Sequence, residues 1–219
     1  MKARQERREK ILSRGTRLLI ATHNRGKLKE FEQLFAPFGL ELSCAMELGL
    51  PEPEETGTTF AENARIKAHG AAKASGMISL ADDSGLCVDA LGGRPGVHTA
   101  DWAGVPRDFN RAMQRVEDEL QTAGARRSDQ RKAAFCATLC LALLNGDDRI
   151  FTGEIRGQMV WPPRGNLGFG FDPSFMPEGF DITFGQMDSE TKHSWQKGTT
   201  GLSHRARAFA QLVSECCDL

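Results

Sequence analysis

The stretch Ala81-Asp82-Asp83-Ser84-Gly85 decides how this sequence is interpreted. It follows the apolar run Met77 to Leu80, which predicts a buried strand, and Gly85 supplies the backbone freedom to turn out of that strand. Adjacent residues of a strand point to opposite faces, so Asp82 and Asp83 cannot both be hidden in one pocket at the strand end. We therefore expect one of the two carboxylates to face a cleft.

The two adjacent acidic side chains also repel each other. Two like charges about 4 Å apart repel by roughly 4 kcal/mol at an effective dielectric constant of about 20. A cation relieves this repulsion, and a divalent metal ion is the natural candidate. The alternative interpretation is that Asp82 and Asp83 cap a solvated turn between strand and loop, where Asp, Ser and Gly are common for local reasons.

Length and composition indicate a globular protein of one large domain or two lobes. The chain has 219 residues, of which 40% are hydrophobic and 26% charged, and its formal net charge is -1. Such a balance gives no global bias towards nucleic acid or an anionic membrane. No apolar run reaches the roughly 20 residues of a membrane helix, and charges stand where a signal peptide needs an apolar segment. We expect a cytoplasmic protein without nucleic-acid or membrane partners.

The cysteines and the basic N-terminal segment suggest no chemistry of their own. Six cysteines occur at positions 44, 87, 136, 140, 216 and 217, without C-x-x-C spacing. We expect reduced, mostly buried side chains, and neither a disulfide framework nor a zinc site. Residues 1–15 are predicted to be a flexible basic extension, with a nucleic-acid-binding arm as the alternative. Residues 16–219 then form a single domain of two lobes.

A short polar loop follows the first predicted strand, which begins at Arg17. Its sequence is Thr22-His23-Asn24-Arg25-Gly26-Lys27, and a helical pattern of apolar residues starts directly after it. A strand, a Gly-containing loop and a helix start place backbone N–H groups and the positive helix end where an anion can bind, with Lys27 beside it. This is not a Walker loop, because Ala21 and Leu28 replace two of its required residues. A structural turn with an exposed lysine is the alternative.

A capped helix is predicted from residue 60 to 75. Thr59 and Glu62 fit a capping box at its start, and Gly76 stops the alanine-rich run. Asn63 and Lys67 lie one turn apart on the same face of this helix. Lys67 is therefore a candidate phosphate ligand if the helix borders the cleft.

The loop before this helix, residues 51–57, is acidic and rich in proline. If its Glu54 or Glu55 approaches Asp83, carboxylates from two parts of the chain could hold Mg²⁺ jointly. Ordinary surface acidity is the other interpretation of this loop, and the sequence does not choose between the two neighbouring glutamates.

Two features mark the second half of the chain. Residues 133–144 form an apolar run, Asn145-Gly146 predicts a hairpin turn, and residues 149–160 return as the partner strand, which suggests an antiparallel second lobe. The segment Gly168-Phe169-Gly170-Phe171-Asp172-Pro173 follows a further loop. Its glycines let the backbone approach a flat ligand, on which Phe169 could stack while Asp172 accepts from ring N–H groups. An aromatic β-bulge that closes the core is equally compatible with the pattern.

The last helix is predicted to begin at Ser203, a plausible N-cap, with His204 and Arg205 in its first turn. Positive side chains are unfavourable at that end of the helix dipole, and such a local conflict hints at function. The alternative is that His204 and Arg205 are ordinary surface residues.

Taken together and in this order, these segments resemble the inosine triphosphate pyrophosphatase family, in particular its bacterial branch that acts on dITP and XTP. The resemblance covers the chain from Arg17 to the C-terminal helix. It implies an α/β fold with a mixed central sheet, flanking helices, two lobes with a nucleotide cleft between them, and a homodimer. The implied reaction hydrolyses ITP, dITP or XTP between the α and β phosphorus atoms, giving the monophosphate and pyrophosphate, with Mg²⁺ as cofactor.

The resemblance also implies roles for individual residues. Asp83 matches the family's proton acceptor and metal ligand, Asp82 supports it, and Glu54 or Glu55 matches the second acidic ligand. The expected substrate-binding residues are Thr22, His23, Asn24, Arg25, Gly26, Lys27, Lys67, Ser84, Phe169, Gly170, Phe171, Asp172, Lys192, His204 and Arg205. We expect His204 or Arg205 to meet the 6-oxo group of the purine, whose hydrogen-bonding edge differs from that of adenine.

The sequence departs from the family pattern at two places. Phe171 stands where many relatives carry Tyr, which removes one hydroxyl group. The phosphate-binding lysine normally lies a few residues before Ser-His-Arg, whereas here Lys192 is separated from it by an inserted segment. We assign the phosphate role to Lys192 and keep Lys197 as its rival, since a flexible lysine in a Gly-rich loop could reach the same phosphate.

Two other functions compete with this interpretation. One is a nucleotide-binding regulator that has lost catalysis, which the intact set of acidic residues makes less attractive. The other is a Maf-like pyrophosphatase acting on modified pyrimidine nucleotides, against which the match of residues 169–173 and 203–205 to the purine branch argues.

Overall fold

The computed structural model describes residues 10–196 and 198–218. Within these ranges, six strands form one mixed sheet: β1 (Arg17–Ile20), β2 (Glu41–Cys44), β3 (Ile78–Val88), β4 (Lys132–Ala142), β5 (Asp148–Met159) and β6 (Phe175–Pro177). Their order across the sheet is β2-β1-β3-β4-β5-β6. The pairs of β1 with β2 and with β3 are parallel, and the other pairs are antiparallel. The mixed central sheet expected from the sequence is confirmed.

In the described part of the chain, five helices flank this sheet, and a small two-stranded ribbon lies near the C-terminal end. The helices are α1 (Arg25–Phe35), α2 (Phe60–Ser75), α3 (Phe109–Thr122), α4 (Ser189–His193) and α5 (His204–Cys216), and the ribbon consists of β7 (Trp195–Gln196) and β8 (Thr199–Thr200). The start and end predicted for α2 are confirmed, since Thr59 and Glu62 form the capping box and Gly76 adopts the left-handed conformation after the last turn. Within the described residues no helix is long and apolar enough to cross a membrane.

The predicted end of the third strand after Leu80 is wrong. Strand β3 runs on through Asp82, Asp83, Ser84 and Gly85, and pairs with β4 as far as Val88 opposite Ala133. Strand β4 supplies backbone hydrogen bonds to these residues. The prediction treated Asp, Ser and Gly as turn residues from local preference alone and could not include this partner. Gly85 is required for close approach and not for a turn, because a Cβ there would lie 2.3 Å from the Gly96 carbonyl oxygen.

The strand alternation places α2 and α5 on opposite faces of the sheet. Cys140 and Ala142 of β4 pack with alanines of α2, whereas Leu139 and Leu141 pack with Phe209 of α5. The hairpin at Asn145-Gly146 joins β4 to β5 as predicted. This antiparallel part is continuous with β1 and β2 in the same sheet, so it is an extension of the parallel part and not a separate ribbon.

The N-terminal boundary predicted at residue 16 is too late. Leu12 is 1% exposed and belongs to the core that includes Phe209 of α5. The backbone N–H groups of Ile11 and Leu12 donate to the Cys216 carbonyl oxygen, so the docked chain begins at residue 11. The sequence did not identify Leu12 as a core residue, because it lies in a short basic segment. Local charge gives no information on a packing partner about 200 residues away in sequence. Residues 1–9 of the predicted extension lie outside the described part of the chain.

The prediction of mostly buried cysteines is confirmed. All six are free thiols. Cys44, Cys140, Cys216 and Cys217 are buried, and Cys87 and Cys136 are half-buried on the neighbouring strands β3 and β4.

Candidate active site

The candidate site forms where β1 ends and β3 continues. The parallel pairing of β1 with β3 ends at Ile20 opposite Leu80. In the described structure, the residues of β3 that follow Leu80 pair only with β4. The open edge borders a cavity of about 240 Å³. Side chains from both faces of β3 reach around this edge, and both Asp82 and Asp83 therefore line the same cavity while being 3% and 5% exposed. The expectation that only one of them faces the cleft is wrong for this reason.

The Asp82 carboxylate lies on the α5 face of the sheet, among cations. Its Oδ2 is 2.7 Å from Lys27 Nζ and 3.0 Å from Arg205 Nη2, and it also accepts from Ser84 Oγ at 3.1 Å. Burial by itself would raise the pKa of Asp82, but the charges of Arg205 and Lys27 outweigh burial and lower it well below the ordinary value. Asp82 is therefore ionised at neutral pH.

The Asp83 carboxylate lies on the α2 face, where Lys67 is its one ion-pair partner among the described residues. Lys67 Nζ donates to Asp83 Oδ1 and to Glu55 Oε1, each at 3.0 Å. Burial raises the pKa of Asp83, against the pull of Lys67 and Lys27 and with a further increase from Glu55. Asp83 Oδ2 is buried and has no hydrogen-bond partner among the described residues. It is consequently available to a metal ion or a proton.

The acidic loop is held against α2 by one amide side chain. Asn63 Oδ1 accepts from the Gly57 backbone N–H at 2.8 Å, and a Cβ on Gly57 would lie 2.6 Å from that oxygen. This contact directs Glu55 to the cavity, where it meets Lys67. Glu54 is exposed and does not line the cavity. Of the two glutamates that the sequence left open, the structure places Glu55 at the candidate site.

The loop before α1 places Lys27 at the cavity, but fewer of its backbone N–H groups are available to bind an anion than expected. Asn24 caps the helix and accepts from the backbone N–H groups of Gly26 and Lys27, so these two groups are not open to an anion. Thr22, His23, Asn24 and Lys27 line the cavity, whereas Arg25 and Gly26 do not. Burial lowers the pKa of Lys27 despite the raising effect of Asp82, but the 2.7 Å contact with that carboxylate keeps the amine in an ion pair.

The aromatic loop borders the opposite side of the cavity. Phe169 is 39% exposed and lines it together with Gly170, Phe171 and Asp172. Phe171 is buried against Phe109 of α3, with ring centroids 5.8 Å apart. The segment 168–170 is irregular, since no strand includes it, and the alternative of a β-bulge is not what the fold contains.

Asp172 and Lys192 form a buried pair beneath this loop. Lys192 Nζ contacts Asp172 Oδ2 at 3.0 Å and the Phe184 carbonyl oxygen at 3.1 Å, and the lysine is 1% exposed. Burial raises the pKa of Asp172 against the opposing charge of Lys192. Lys192 does not line the cavity, so in this arrangement it positions the aromatic loop. Its rival for the phosphate role, Lys197, lies outside the described residues.

His204 and Arg205 begin α5 with Ser203 as N-cap, as predicted. Arg205 is 1% exposed and bridges Glu30 and Asp82, which offsets the unfavourable position of its charge at the helix start. His204 stacks on Phe135 with ring centroids 5.1 Å apart, and its Nδ1 is buried and has no hydrogen-bond partner in the part of the chain that the structure describes. Burial and the neighbouring Arg205 lower the pKa of His204, so its ring is neutral at pH 7.

Four titratable residues among those that line the cavity were missed in the sequence: Glu30, Glu52, His193 and Arg107. Glu30 carried a detectable signal, because it is a charge beside Phe31 on the apolar face of α1. His193 accepts or donates at Ser203 Oγ over 3.1 Å, and burial lowers its pKa to about 4. Neither His193 nor the exposed Arg107 stands in a pattern that would have singled it out.

The fold and the cavity define an α/β protein whose cleft combines paired carboxylates, lysines and an accessible aromatic ring. This combination is typical of enzymes that act on phosphorylated compounds. More specifically, the chain belongs to the Ham1 family, whose model matches residues 18–215.

Individual relatives agree with this assignment. The chain is 56% identical to a dITP/XTP pyrophosphatase of Mesorhizobium japonicum over 209 residues, which cover 94% of this chain and 95% of the relative. Among solved structures, it is similar to a HAM1 protein from Coxiella burnetii, with a TM-score of 0.80, 33% identity, and 91% and 97% of the two chains covered. The Ham1 protein of Staphylococcus aureus matches with a TM-score of 0.75 and 31% identity, over 91% of this chain and 97% of the other.

Proposed function

We propose that this protein hydrolyses the non-standard purine nucleotides ITP, dITP and XTP to the monophosphate and pyrophosphate, and so removes them from the nucleotide pool. The observation that carries the proposal is the convergence, around one cavity, of the unpaired Asp83 Oδ2, the cations Lys27 and Lys67, and the exposed face of Phe169. The membership in the Ham1 family and the names of its relatives support the same activity.

The donors at the acidic end of the cavity fit a magnesium ion. Asp83 Oδ2 is a buried carboxylate oxygen that no described residue hydrogen-bonds, and the Glu55 carboxylate is connected to Asp83 through Lys67. Carboxylate oxygens are the ligands that Mg²⁺ prefers, usually one or two together with substrate phosphates. Asp83 and Glu55 would hold the ion, which when bound neutralises charge on the triphosphate.

Asp83 is suited to accept the proton of the attacking water. Its raised pKa brings its basicity closer to neutral pH than that of an ordinary aspartate. In the proposed step, the water oxygen forms a bond to the α phosphorus, the bond from that phosphorus to the bridging oxygen breaks, and pyrophosphate leaves. The proton of the water passes to Asp83. Asp82, which stays ionised, holds Lys27 and Arg205 in place during this step.

The lysines supply positive charge for the phosphates. Lys27 and Lys67 line the cavity, and each is bound to a carboxylate that fixes its amine. Burial would lower the pKa of Lys67, but Asp83 and Glu55 outweigh this effect and raise it, so this amine is charged. Lys27 and Lys67 therefore lie along one wall of the cavity, where they can bind the phosphate groups of a triphosphate.

The opposite wall is suited to a flat base. Phe169 offers a ring face for stacking, and His204 offers the Nδ1 of a neutral imidazole, which has no partner within residues 10–196 and 198–218. We infer that His204 meets the 6-oxo side of the purine, while Arg205, which is committed to Glu30 and Asp82, positions His204. Adenine would leave the partners of that edge unpaired, which disfavours ATP.

The test is a substrate panel of ITP, dITP, XTP, ATP and modified pyrimidine triphosphates with Mg²⁺. Pyrophosphate release is detected by adding inorganic pyrophosphatase and comparing phosphate with and without it. We expect the three non-standard purine nucleotides to be turned over and ATP to be poor. Phosphate without added pyrophosphatase, or ATP as the best substrate, contradicts the proposal. Binding of ITP without turnover favours the regulator, and preference for modified pyrimidines favours the Maf-like alternative.

A cytoplasmic location and a homodimer belong to the same proposal. Trp161, Phe180 and Ile182 are large apolar side chains that are each 41% exposed, and a contact between two copies of the chain would bury such groups. Sedimentation analysis of the purified chain would give a dimer mass if the proposal is right and a monomer mass if it is wrong.

A further inference from the structure

Three side chains with metal-binding chemistry lie together outside the candidate active site. They are His69 of α2, Cys140 of β4 and Asp148 of β5, and one ligand atom from each lies within 4.8 Å of the other two. His69 Nε2 is 3.0 Å from Asp148 Oδ2. None of the three lines the cavity of about 240 Å³. The proposed hydrolysis uses none of them.

The fold holds this trio on rigid elements. His69 follows Lys67 by two residues, which is more than half a helical turn, so α2 presents Lys67 to the cavity and His69 elsewhere. Cys140 is 0% exposed and points from β4 to the α2 face, where it packs with alanines of that helix. Asp148 begins β5 directly after the hairpin turn, opposite Ala142. A helix and two paired strands therefore fix the three ligands.

We propose that His69, Cys140 and Asp148 bind a divalent transition-metal ion of the zinc type. An imidazole nitrogen, a thiolate sulfur and a carboxylate oxygen are the donor set of zinc sites, and a thiolate selects against Mg²⁺. Three protein ligands leave the fourth tetrahedral position for water. A bound ion links α2 to the β4–β5 hairpin, and its role is to stabilise that contact.

Two features limit the affinity of the proposed site for metal ions and determine which ions it binds. Burial raises the pKa of the Cys140 thiol to about 12, so the metal must displace a proton, which only thiolate-binding ions do. Arg65 Nε donates to Asp148 Oδ2 at 3.0 Å and competes with a metal for that oxygen. The Arg65 side chain is 48% exposed and can swing into solvent. Since such exposed pairs contribute little, its removal should tighten metal binding by up to about fivefold.

The experiment is a Co²⁺ titration of the reduced, chelator-treated full chain, read at the thiolate-to-cobalt charge-transfer band in the near ultraviolet. A cobalt ion held only by the carboxylates of the cleft gives no such band. We expect the band to saturate at one equivalent, to vanish on addition of Zn²⁺, and to survive an excess of Mg²⁺. It should be lost in Cys140→Ser and in His69→Gln, and Arg65→Gln should lower the half-saturating Co²⁺ concentration.

Two matched controls keep the result specific. Cys87→Ser changes a thiol that lies near Cys136 and Glu154, the other plausible sulfur-containing cluster, and His98→Gln changes a histidine in a 2.9 Å pair with Asp101 that lacks a thiol. Both should keep the band. No band in the wild type, a band that survives His69→Gln, or loss of the band in Cys87→Ser would each overturn the proposal. Because His69 is partly exposed, thermal melting of His69→Gln verifies that this variant is folded. None of these outcomes depends on nucleotide hydrolysis.

Discussion

Asp82 and Asp83 are adjacent on β3, line the same cavity and are almost equally buried, yet they pair with different charged groups. Asp82 lies on the α5 face between Lys27 and Arg205. Asp83 lies on the α2 face and shares Lys67 with a second carboxylate. The pKa of Asp82 is lowered by its two cations against burial, whereas burial raises the pKa of Asp83. One carboxylate is fixed in its ionised form, and the other remains able to take up a proton.

The difference shows that burial alone does not determine the chemistry of a carboxylate. The balance between burial and the neighbouring charges decides the direction of each pKa shift, and strand alternation determines which charged groups each side chain contacts. Two groups whose pKa values are driven apart in one site are the usual basis for separate acid-base roles. We therefore assign proton transfer to Asp83 and the positioning of cations to Asp82, and four experiments test this division.

The largest expected effect is on catalysis by Asp83→Asn. Asparagine keeps the shape of the side chain but cannot accept a proton, so kcat/KM for ITP should fall by about 10² to 10⁴-fold. Pyrophosphate release measures this loss, and the melting temperature should change little. Asp118→Asn on the exposed side of α3 is the control and should retain full activity. A loss of less than about tenfold would remove Asp83 from the proton-transfer role.

Asp82→Asn should act mainly on stability. The change leaves Lys27 and Arg205 with one carboxylate fewer in a buried position, which typically destabilises a protein by about 3 to 5 kcal/mol. Urea unfolding followed by circular dichroism gives the free energy of unfolding. The control is Asp129→Asn, which removes an ion pair with Arg127 on the surface and should have no measurable effect. Equal stability of the two variants would contradict the assigned role of Asp82.

The two glutamates of the acidic loop should differ in metal dependence. Glu55 meets Lys67 at the cavity, whereas Glu54 is exposed outside it. Glu55→Gln removes one anionic ligand, so the half-saturating Mg²⁺ concentration for ITP hydrolysis should rise on the order of tenfold. Glu54→Gln is the matched control with no expected shift. The reverse result would move the metal site to Glu54.

The smallest effects are opposite pH dependences of stability. The folded pKa of Asp82 is lowered, so its stabilising contribution is present above the ordinary aspartate pKa of about 3.9 and is lost as the pH falls below it. The folded pKa of Asp83 is raised, so its contribution is present below about 3.9 and is lost as the pH rises. For a single titrating group, the free energy of unfolding cannot change by more than about 1.4 kcal/mol per pH unit.

Unfolding in urea between pH 3 and pH 7 measures these slopes, with each Asn variant compared to the wild type. The stability difference between wild type and Asp82→Asn should shrink towards acid pH. Relative to Asp83→Asn, the wild type should lose stability towards neutral pH. Slopes of the same sign for the two positions would show that the two faces of β3 do not differ as described.

Local patterns predicted the parts of the fold that depend on local interactions. The capping box of α2, the Asn145-Gly146 hairpin and the N-cap at Ser203 were all identified correctly, because each is a contact between residues close in sequence. The same reasoning ended β3 too early at Leu80. The partner that continues this strand, β4, begins at residue 132, and no local signal carries that information.

The candidate site divides in the same way. Residue types and their order indicated the acidic stretch, the lysine loop and the aromatic loop, and the family resemblance joined them. The contacts between these groups depend on the tertiary structure. It places Glu55 rather than Glu54 at the cavity, and Lys192 beneath the aromatic loop with Asp172. Glu30 lines the cavity and contacts Arg205 and His193, which are 175 and 163 residues away in sequence.

The amino-acid sequence by itself determined the class of fold, the helix ends and the set of polar residues available for chemistry, since propensities, caps and periodicity act over a few residues. Only the tertiary structure decided the protonation behaviour of Asp82 and Asp83. A pKa shift depends on burial and on the charges within a few ångströms, and here those charges come from α1, α2 and α5, which the chain brings together only when the sheet is complete.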